Sequence, residues 1–188
     1  MSRTKGKVWE RAVARDLRAI LGANVRRGYQ SRDGDAAADV TGVPLFWTEC
    51  KHHASVNVVA ALRQAGGDAK GRGRPLAVVK DGHHAHWSDK RLAWTVAALF
   101  WDDWIWFLEH LAALDVEVAF HRGPTCSQAT ARTYQKARDV SEDAEIPVAD
   151  VRTKKGEHVV MLAWDDFKGI LAKMVAGYER RIEDEIHG

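Results

Sequence analysis

Asp39 to Lys51 reads D-V-T-G-V-P-L-F-W-T-E-C-K, and the fold of the chain is decided by how this stretch is read. Two short apolar runs, Ala37–Thr41 and Leu45–Cys50, flank Gly42-Val43-Pro44, a turn-former between strand-like segments. Side chains alternate faces along a strand, so Glu49 and Lys51 point one way and Cys50 the other. A hairpin closing at Gly42–Pro44 brings Asp39 beside them. Two carboxylates and one ammonium then meet at the end of a strand pair, a seat for a divalent cation and the water it activates.

Upstream, Lys5 to Leu21 reads as a helix. Trp9, Val13, Leu17 and Ile20 recur at helical spacing as a buried stripe, and Gly22 stops it. Lys7, Arg11, Arg15 and Arg18 line another side, while Glu10 lies beside the apolar stripe, able to look along a sheet. Asn24–Tyr29 is the first expected strand. The polar loop Gln30–Asp35 follows, placed either to close over a substrate or simply to connect. Beyond Lys51, Ser55 is a good N-cap for a helix Val56–Ala65 closed by Gly66-Gly67. Gly66–Arg74 is glycine-rich and basic, a phosphate grip or a linker, and Leu76–Val79 is a short buried strand. The order helix–strand–strand–strand–helix–strand is that of an α/β protein.

Downstream the chain echoes itself. Val96–Leu108 matches Val159–Leu171 at an offset of 63, each an apolar strand followed by Trp-Asp-Asp opening a helix. A looser match precedes each copy, Pro75–Lys80 and Pro147–Arg152. Asp102 and Asp165 are expected N-caps. The first copy is expected to complete the sheet. The second reads as an added hairpin turning at Lys154-Lys155-Gly156, then a long helix. Between the copies, Asp115–Phe120 is strand-like and Ser127–Arg138 helical. The last helix carries Phe167, Ile170, Leu171, Met174, Val175, Tyr178, Ile182 and Ile186 on one face, a stripe long enough to serve internal packing and a second subunit.

The totals narrow the class. With 188 residues, 46% hydrophobic and 29% charged, the chain can bury a substantial core and matches ordinary soluble proteins. No apolar run spans a bilayer and the first residues lack a signal-peptide core, so the expected location is cytoplasmic, host cytoplasm if the chain is viral. Cys50 and Cys126 are far apart and form neither a disulfide framework nor a zinc knuckle. Residues 1–32 hold nine Lys/Arg against two acids, a charge of +7 within a total of +2. So basic a segment beside an acidic cluster suits a polyanion such as nucleic acid, though a solvated basic helix has the same composition.

Phosphodiesters resist hydrolysis because their negative oxygens repel hydroxide. Mg2+ neutralises a phosphate oxygen and acidifies bound water, and one to three carboxylates suffice to hold it. Asp39 and Glu49 meet that need, with Lys51 to orient the water and Glu10 as a further ligand or supporting acid. Lys5-Gly6-x-x-x-Glu10-Arg11, Asp39-Val40 and Glu49-Cys50-Lys51 together resemble the PD-(D/E)XK nuclease superfamily, most nearly archaeal-type Holliday-junction resolvases and related phage nucleases. The resemblance covers about residues 3–80 and departs from the motif at Ala38, where proline is common. It implies a restriction-endonuclease-like mixed sheet flanked by helices, Mg2+ or Mn2+ dependence, and a homodimer acting on branched DNA. By motif position it assigns Glu10, Asp39, Glu49 and Lys51 to catalysis, and Ser31 to a loop serine. Residues 1–114 are then the nuclease core and 115–188 an accessory or dimerisation extension. Lys7, Arg11, Arg15, Arg26, Arg27 and Arg32 are the expected phosphate track. The other readings are a related nuclease cutting linear or flapped DNA, a DNA-binding protein with a degenerate site, and an RNA ligand.

Other conspicuous residues are read more plainly. His52, His53, His83, His84 and His86 match no zinc spacing and are read as solvated or phosphate-contacting. Trp94, Trp101, Trp104, Trp106 and Trp164 sit in apolar runs, which favours packing over base stacking.

Overall fold

A computed structural model describes residues 3–29, 37–53, 56–81, 95–128, 131–141 and 145–187. The opening helix, α1 (Arg3–Leu21), forms where the apolar spacing predicts it and buries Trp9, Val13 and Leu17. Two short strands follow, β1 (Arg26–Arg27) and β2 (Val40–Thr41), and then the central strand β3 (Phe46–His53). β1 is shorter than the Asn24–Tyr29 run because only Arg26 and Arg27 form ladder pairs, opposite Thr41 and Val40. Val40 lies opposite Thr48, so the chain does fold back at Gly42–Pro44. Gly42 has φ +78°, and a Cβ there would fall 2.3 Å from the Asn24 carbonyl oxygen, which excludes other residues.

The next helix, α2 (Val58–Ala69), is capped by Asn57, whose side chain accepts from the Ala60 N–H at 3.0 Å. Ser55, the expected cap, lies outside the described residues. Gly66 and Gly67 do not end the helix. Ala65 and Ala69 are both buried, and their packing carries the helix through two poor helix formers. β4 (Arg74–Asp81) then runs parallel to β3, and β5 (Thr95–Phe100) antiparallel to β4.

The rest is α3 (Trp101–Ala112), β6 (Phe120–Arg122), α4 (Ala131–Arg138), β7 (Ile146–Arg152), β8 (His158–Ala163) and α5 (Trp164–His187). β6 begins where the Asp115–Phe120 run was expected to end, and α4 is the C-terminal part of Ser127–Arg138. Asp102 and Asp165 lie within the first turns of their helices rather than capping them. Phe100 is the N-cap of α3 and makes no side-chain bond, so these acids act through the helix dipole.

Among the described residues, eight strands form one mixed sheet in the order β1-β2-β3-β4-β5-β8-β7-β6. The first copy does not finish the sheet: β7 and β8 form the expected hairpin, turning at 154–156 before the long α5, and β8 pairs directly with β5. Pairing centres on Ala98 opposite Met161, the two residues related by the 63-residue offset. On either side, β3 is parallel to β4 and β6 to β7. The echo is therefore a duplicated β-α-β-β-α unit, β3-α2-β4-β5-α3 and β6-α4-β7-β8-α5, related by a pseudo-twofold between β5 and β8.

Period-two alternation sorts the two cores. Leu76, Val78, Ala97, Leu99, Val160 and Leu162 face α1, α3 and α5, joined by Trp104, Phe107, Phe167 and Leu171. Ala77, Val79, Val96, Ala98, Val159 and Met161 face α2 and α4, joined by Leu62 and Tyr134. Each fully buried large side chain stabilises the layers by about 1.5–3 kcal/mol. Trp104 and Trp164 belong to this packing, and Trp101 stacks on His158 at 4.2 Å. The C-terminal turns of α5 leave Ile182 and Ile186 exposed. Among the described residues no helix is long and apolar enough to cross a membrane.

Candidate active site

Parallel pairing with β4 places Glu49 beside Ala77, Cys50 beside Val78 and Lys51 beside Val79. Glu49 and Lys51 accordingly turn towards α2, and Cys50 into the opposite core. Asp39 arrives from the antiparallel side. Its backbone N–H donates to the Thr48 carbonyl at 3.0 Å, its own carbonyl accepts from Gly28 at 2.8 Å, and its Oδ2 accepts from the Cys50 N–H at 2.8 Å. A Cβ at Gly28 would sit 1.8 Å from the Ala38 oxygen, so glycine is required for β1 to come this close. The three motif residues thus meet at one point of the sheet.

Glu49 is 4% exposed, and Lys51 Nζ donates to its Oε1 at 2.5 Å. Burial, reinforced by the Asp39 charge, pushes the Glu49 carboxyl up to about 7, and Lys51 only partly offsets the rise. Asp39 is also raised, chiefly by burial, against the Cys50 N–H that favours its ionised form. Burial drives the Cys50 thiol well above its usual range, with Asp39 and Glu49 adding to the shift. Such a thiol is inert as a nucleophile. His52 is held below its ordinary value by burial, then by Lys80 and Lys5, and packs edge-on against Trp9.

Asp39, Glu49 and Lys51 open on a cavity of about 590 Å3 that Lys7, Glu10 and Arg27 also line. Glu10 is engaged by Arg27, whose Nε donates to Oε2 at 2.5 Å. Among the described residues no group of three or more His, Cys, Asp or Glu side chains encloses a metal position. The pair Asp39 and Glu49 still suits a hard divalent cation. Both donors are oxygen, their mutual repulsion is only partly relieved by Lys51, and the cavity has room for the waters such an ion retains.

Comparison of the chain with family models, curated proteins and solved structures gives no match.

Of the expected phosphate track, Lys7 and Arg27 line the cavity, Arg27 being committed to Glu10, while Arg11, Arg15 and Arg26 are exposed away from it. Ser31, Arg32, His83, His84, His86 and Trp94 lie outside the described residues. One residue absent from the sequence reading belongs to the site. Gln64 on α2 accepts from Lys51 Nζ through Oε1 at 2.9 Å, so the ammonium is held between Glu49 and α2. No local signal marks Gln64, which only the β3–α2 packing brings to the site.

A second charged cluster, also absent from the sequence reading, lies in the C-terminal unit. Asp150 is fully buried, and its carboxylate accepts from Arg122 Nε at 2.6 Å, Thr125 Oγ1 at 3.1 Å and His158 Nε2 at 2.6 Å. Burial pushes this carboxyl up, but the donors outweigh it and hold the group below its usual range. Every oxygen is satisfied, which makes the cluster a structural anchor.

Proposed function

We propose that the chain is a divalent-metal-dependent DNA endonuclease with a restriction-endonuclease-like core. The observation that carries this is the convergence of Asp39, Glu49 and Lys51, with Asp39 Oδ2 2.8 Å from the Cys50 nitrogen and Lys51 Nζ 2.5 Å from Glu49 Oε1. Asp39 and Glu49 would hold the ion, which when bound supplies neutralisation of a phosphate oxygen and a more acidic water. Lys51, steadied by Gln64, keeps a positive charge where the attacking oxygen meets phosphorus. A bond from water oxygen to phosphorus forms, one phosphorus–oxygen ester bond breaks, and the departing oxygen takes up a proton. Glu10, paired with Arg27, acts in this reading as a supporting acid that fixes Arg27 at the cavity wall.

Nucleic acid is the polyanion that fits. The exposed cations of α1 and β1 present positive charge to a phosphate backbone beside the acidic pair. Four-way DNA is the first substrate to try, on the strength of the motif resemblance, and a homodimer meeting through the exposed Ile182 and Ile186 belongs to the same reading. Cleavage of four-way, flap and linear duplexes at equal concentration, in Mg2+ and in chelator, tests it. Metal-dependent cutting with preference for the four-way substrate supports the reading, metal-dependent cutting of linear or flapped DNA moves it to a related nuclease, and absence of cutting removes it.

A further inference from the structure

Outside the catalytic cluster a second cavity, of about 490 Å3, lies between the first turns of α2 and the β7–β8 turn. Arg63, Gln128, Lys154 and Lys155 are among its lining residues. Arg63 pairs with Glu157, which leaves the cavity two positive charges in excess from Lys154 and Lys155. Both lysines are exposed, and neither has an ion-pair partner among the described residues.

The helix between the two cavities has an unusual outer face. Ala60, Arg63, Gln64 and Gly67 follow helical spacing and are exposed, with Gly66 beside them. A Cβ at Gly67 would meet nothing within 4 Å, so internal packing does not require glycine there, although glycine weakens a helix interior. Glycine at such a place allows close approach from outside. Arg63 and Gln64 are neighbours on α2, yet Arg63 lines the lysine cavity and Gln64 the catalytic one. One helix, ~10–12 Å across, therefore divides the cavities. The major groove of B-form DNA is ~12 Å wide and bounded by phosphates on both sides.

We propose that α2 lies in the major groove of duplex DNA, with one backbone in the catalytic cavity and the other held by Lys154 and Lys155. The inference rests on the endonuclease reading and extends it by giving the duplicated unit a task. Its β7–β8 turn supplies the contact to the second strand. Lysine–phosphate contacts set register without reading sequence, and Ala60 and Gly67 on the outer face of α2 let base edges come near.

Binding of a fluorescent 20-base-pair DNA duplex, without divalent ions and across a salt series, tests the proposal. Each lost phosphate contact removes ~0.9 from the slope of log affinity against log salt, so the double variant Lys154→Ala/Lys155→Ala should lose ~1.8. Its affinity near 0.15 M salt should fall on the order of 30-fold. Gly67→Leu should weaken binding tenfold or more while its melting temperature holds or rises, since leucine is the better helix former. Duplex RNA, whose major groove is deep and narrow, should compete poorly. A double variant with the wild-type slope, normal binding by Gly67→Leu, or equal competition by duplex RNA would each overturn the inference. Wild-type cleavage of the same duplex in Mg2+ is scored in parallel. If the variants weaken binding as stated but the wild type cuts nothing, the groove placement stands and the endonuclease reading falls.

Discussion

Replacing Glu49 with Gln should make the metal-free protein more stable, and the gain should depend on pH. The folded structure lifts this carboxyl from 4.5 to about 7, because burial and the Asp39 charge disfavour its ionised form. A folded pKa above the unfolded one means that the native state binds the proton more tightly. The penalty for ionisation is therefore complete above pH ~7, shrinks as pH falls through that value, and is gone below the unfolded pKa near 4.5. A shift of about 2.5 units corresponds to a ceiling of ~3.4 kcal/mol. Gln retains an oxygen for the Lys51 ammonium but gives up the ion pair, which brings the expected gain to ~2 kcal/mol. At this chain length that is a rise in Tm of roughly 4–8 °C. Thermal unfolding followed by circular dichroism, in chelator from pH 4 to pH 8, reads it directly. The gap should be widest at pH 8 and close towards pH 4. Adding Mg2+ should then raise the wild type and leave the variant unmoved, because only the wild type keeps both carboxylates. A variant less stable at pH 8, or a gap that does not change with pH, would mean that burial does not raise the Glu49 carboxyl in the folded protein.

Asp150→Ala should cost ~2–3 kcal/mol in urea unfolding, since the hydrogen bonds that Arg122, Thr125 and His158 make to the buried carboxylate are lost, while the half-exposed Arg122 is rehydrated. A loss below ~1 kcal/mol would show that the cluster bears little of the fold. In the wild type the Asp150 contribution is present above its unfolded value of 3.8 and is lost as pH falls through the lower folded value, so acid unfolding should be shifted to higher pH in the variant. Gly28→Ala should destabilise the fold by ~2–4 kcal/mol and abolish cleavage, because its Cβ would collide with Ala38 beside Asp39; a normal melting curve would contradict the strand placement. Gln64→Ala should lower kcat about three- to tenfold by freeing Lys51, a smaller loss than for Lys51→Ala. Equal losses in the two variants would mean that Gln64 does more than hold the lysine.

The site was legible where short-range geometry determines it. Period-two alternation in Phe46–His53 puts Glu49 and Lys51 together and Cys50 on the other face, and Gly42–Pro44 returns Asp39 to the same place. The duplication was also visible, as the repeated Trp-Asp-Asp and paired Pro75/Pro147, but not its consequence. That β8 would lie against β5 is a matter of long-range pairing with no local signature. Gly66-Gly67 misled because local propensity predicts a stop where the burial of Ala65 and Ala69 sustains the helix. Asp150 replaces an apolar residue of the matching segment, the counterpart of Val78, and that mismatch was the available sign of a buried polar cluster. For Glu10 the helix position and the motif resemblance allow a further metal ligand or a supporting acid. Its pairing with Arg27 depends on how α1 rests on β1, which no spacing encodes.

Cleavage of a labelled four-way DNA junction by the wild type, Asp39→Asn and Glu49→Gln, each in Mg2+ and in chelator and each scored for binding on the same gel, is the most direct measure of whether these carboxylates seat a working ion. Cutting is expected from the wild type in Mg2+ alone, with both variants binding the junction and leaving it intact. Undiminished cutting by either variant, or cutting that persists in chelator, contradicts it.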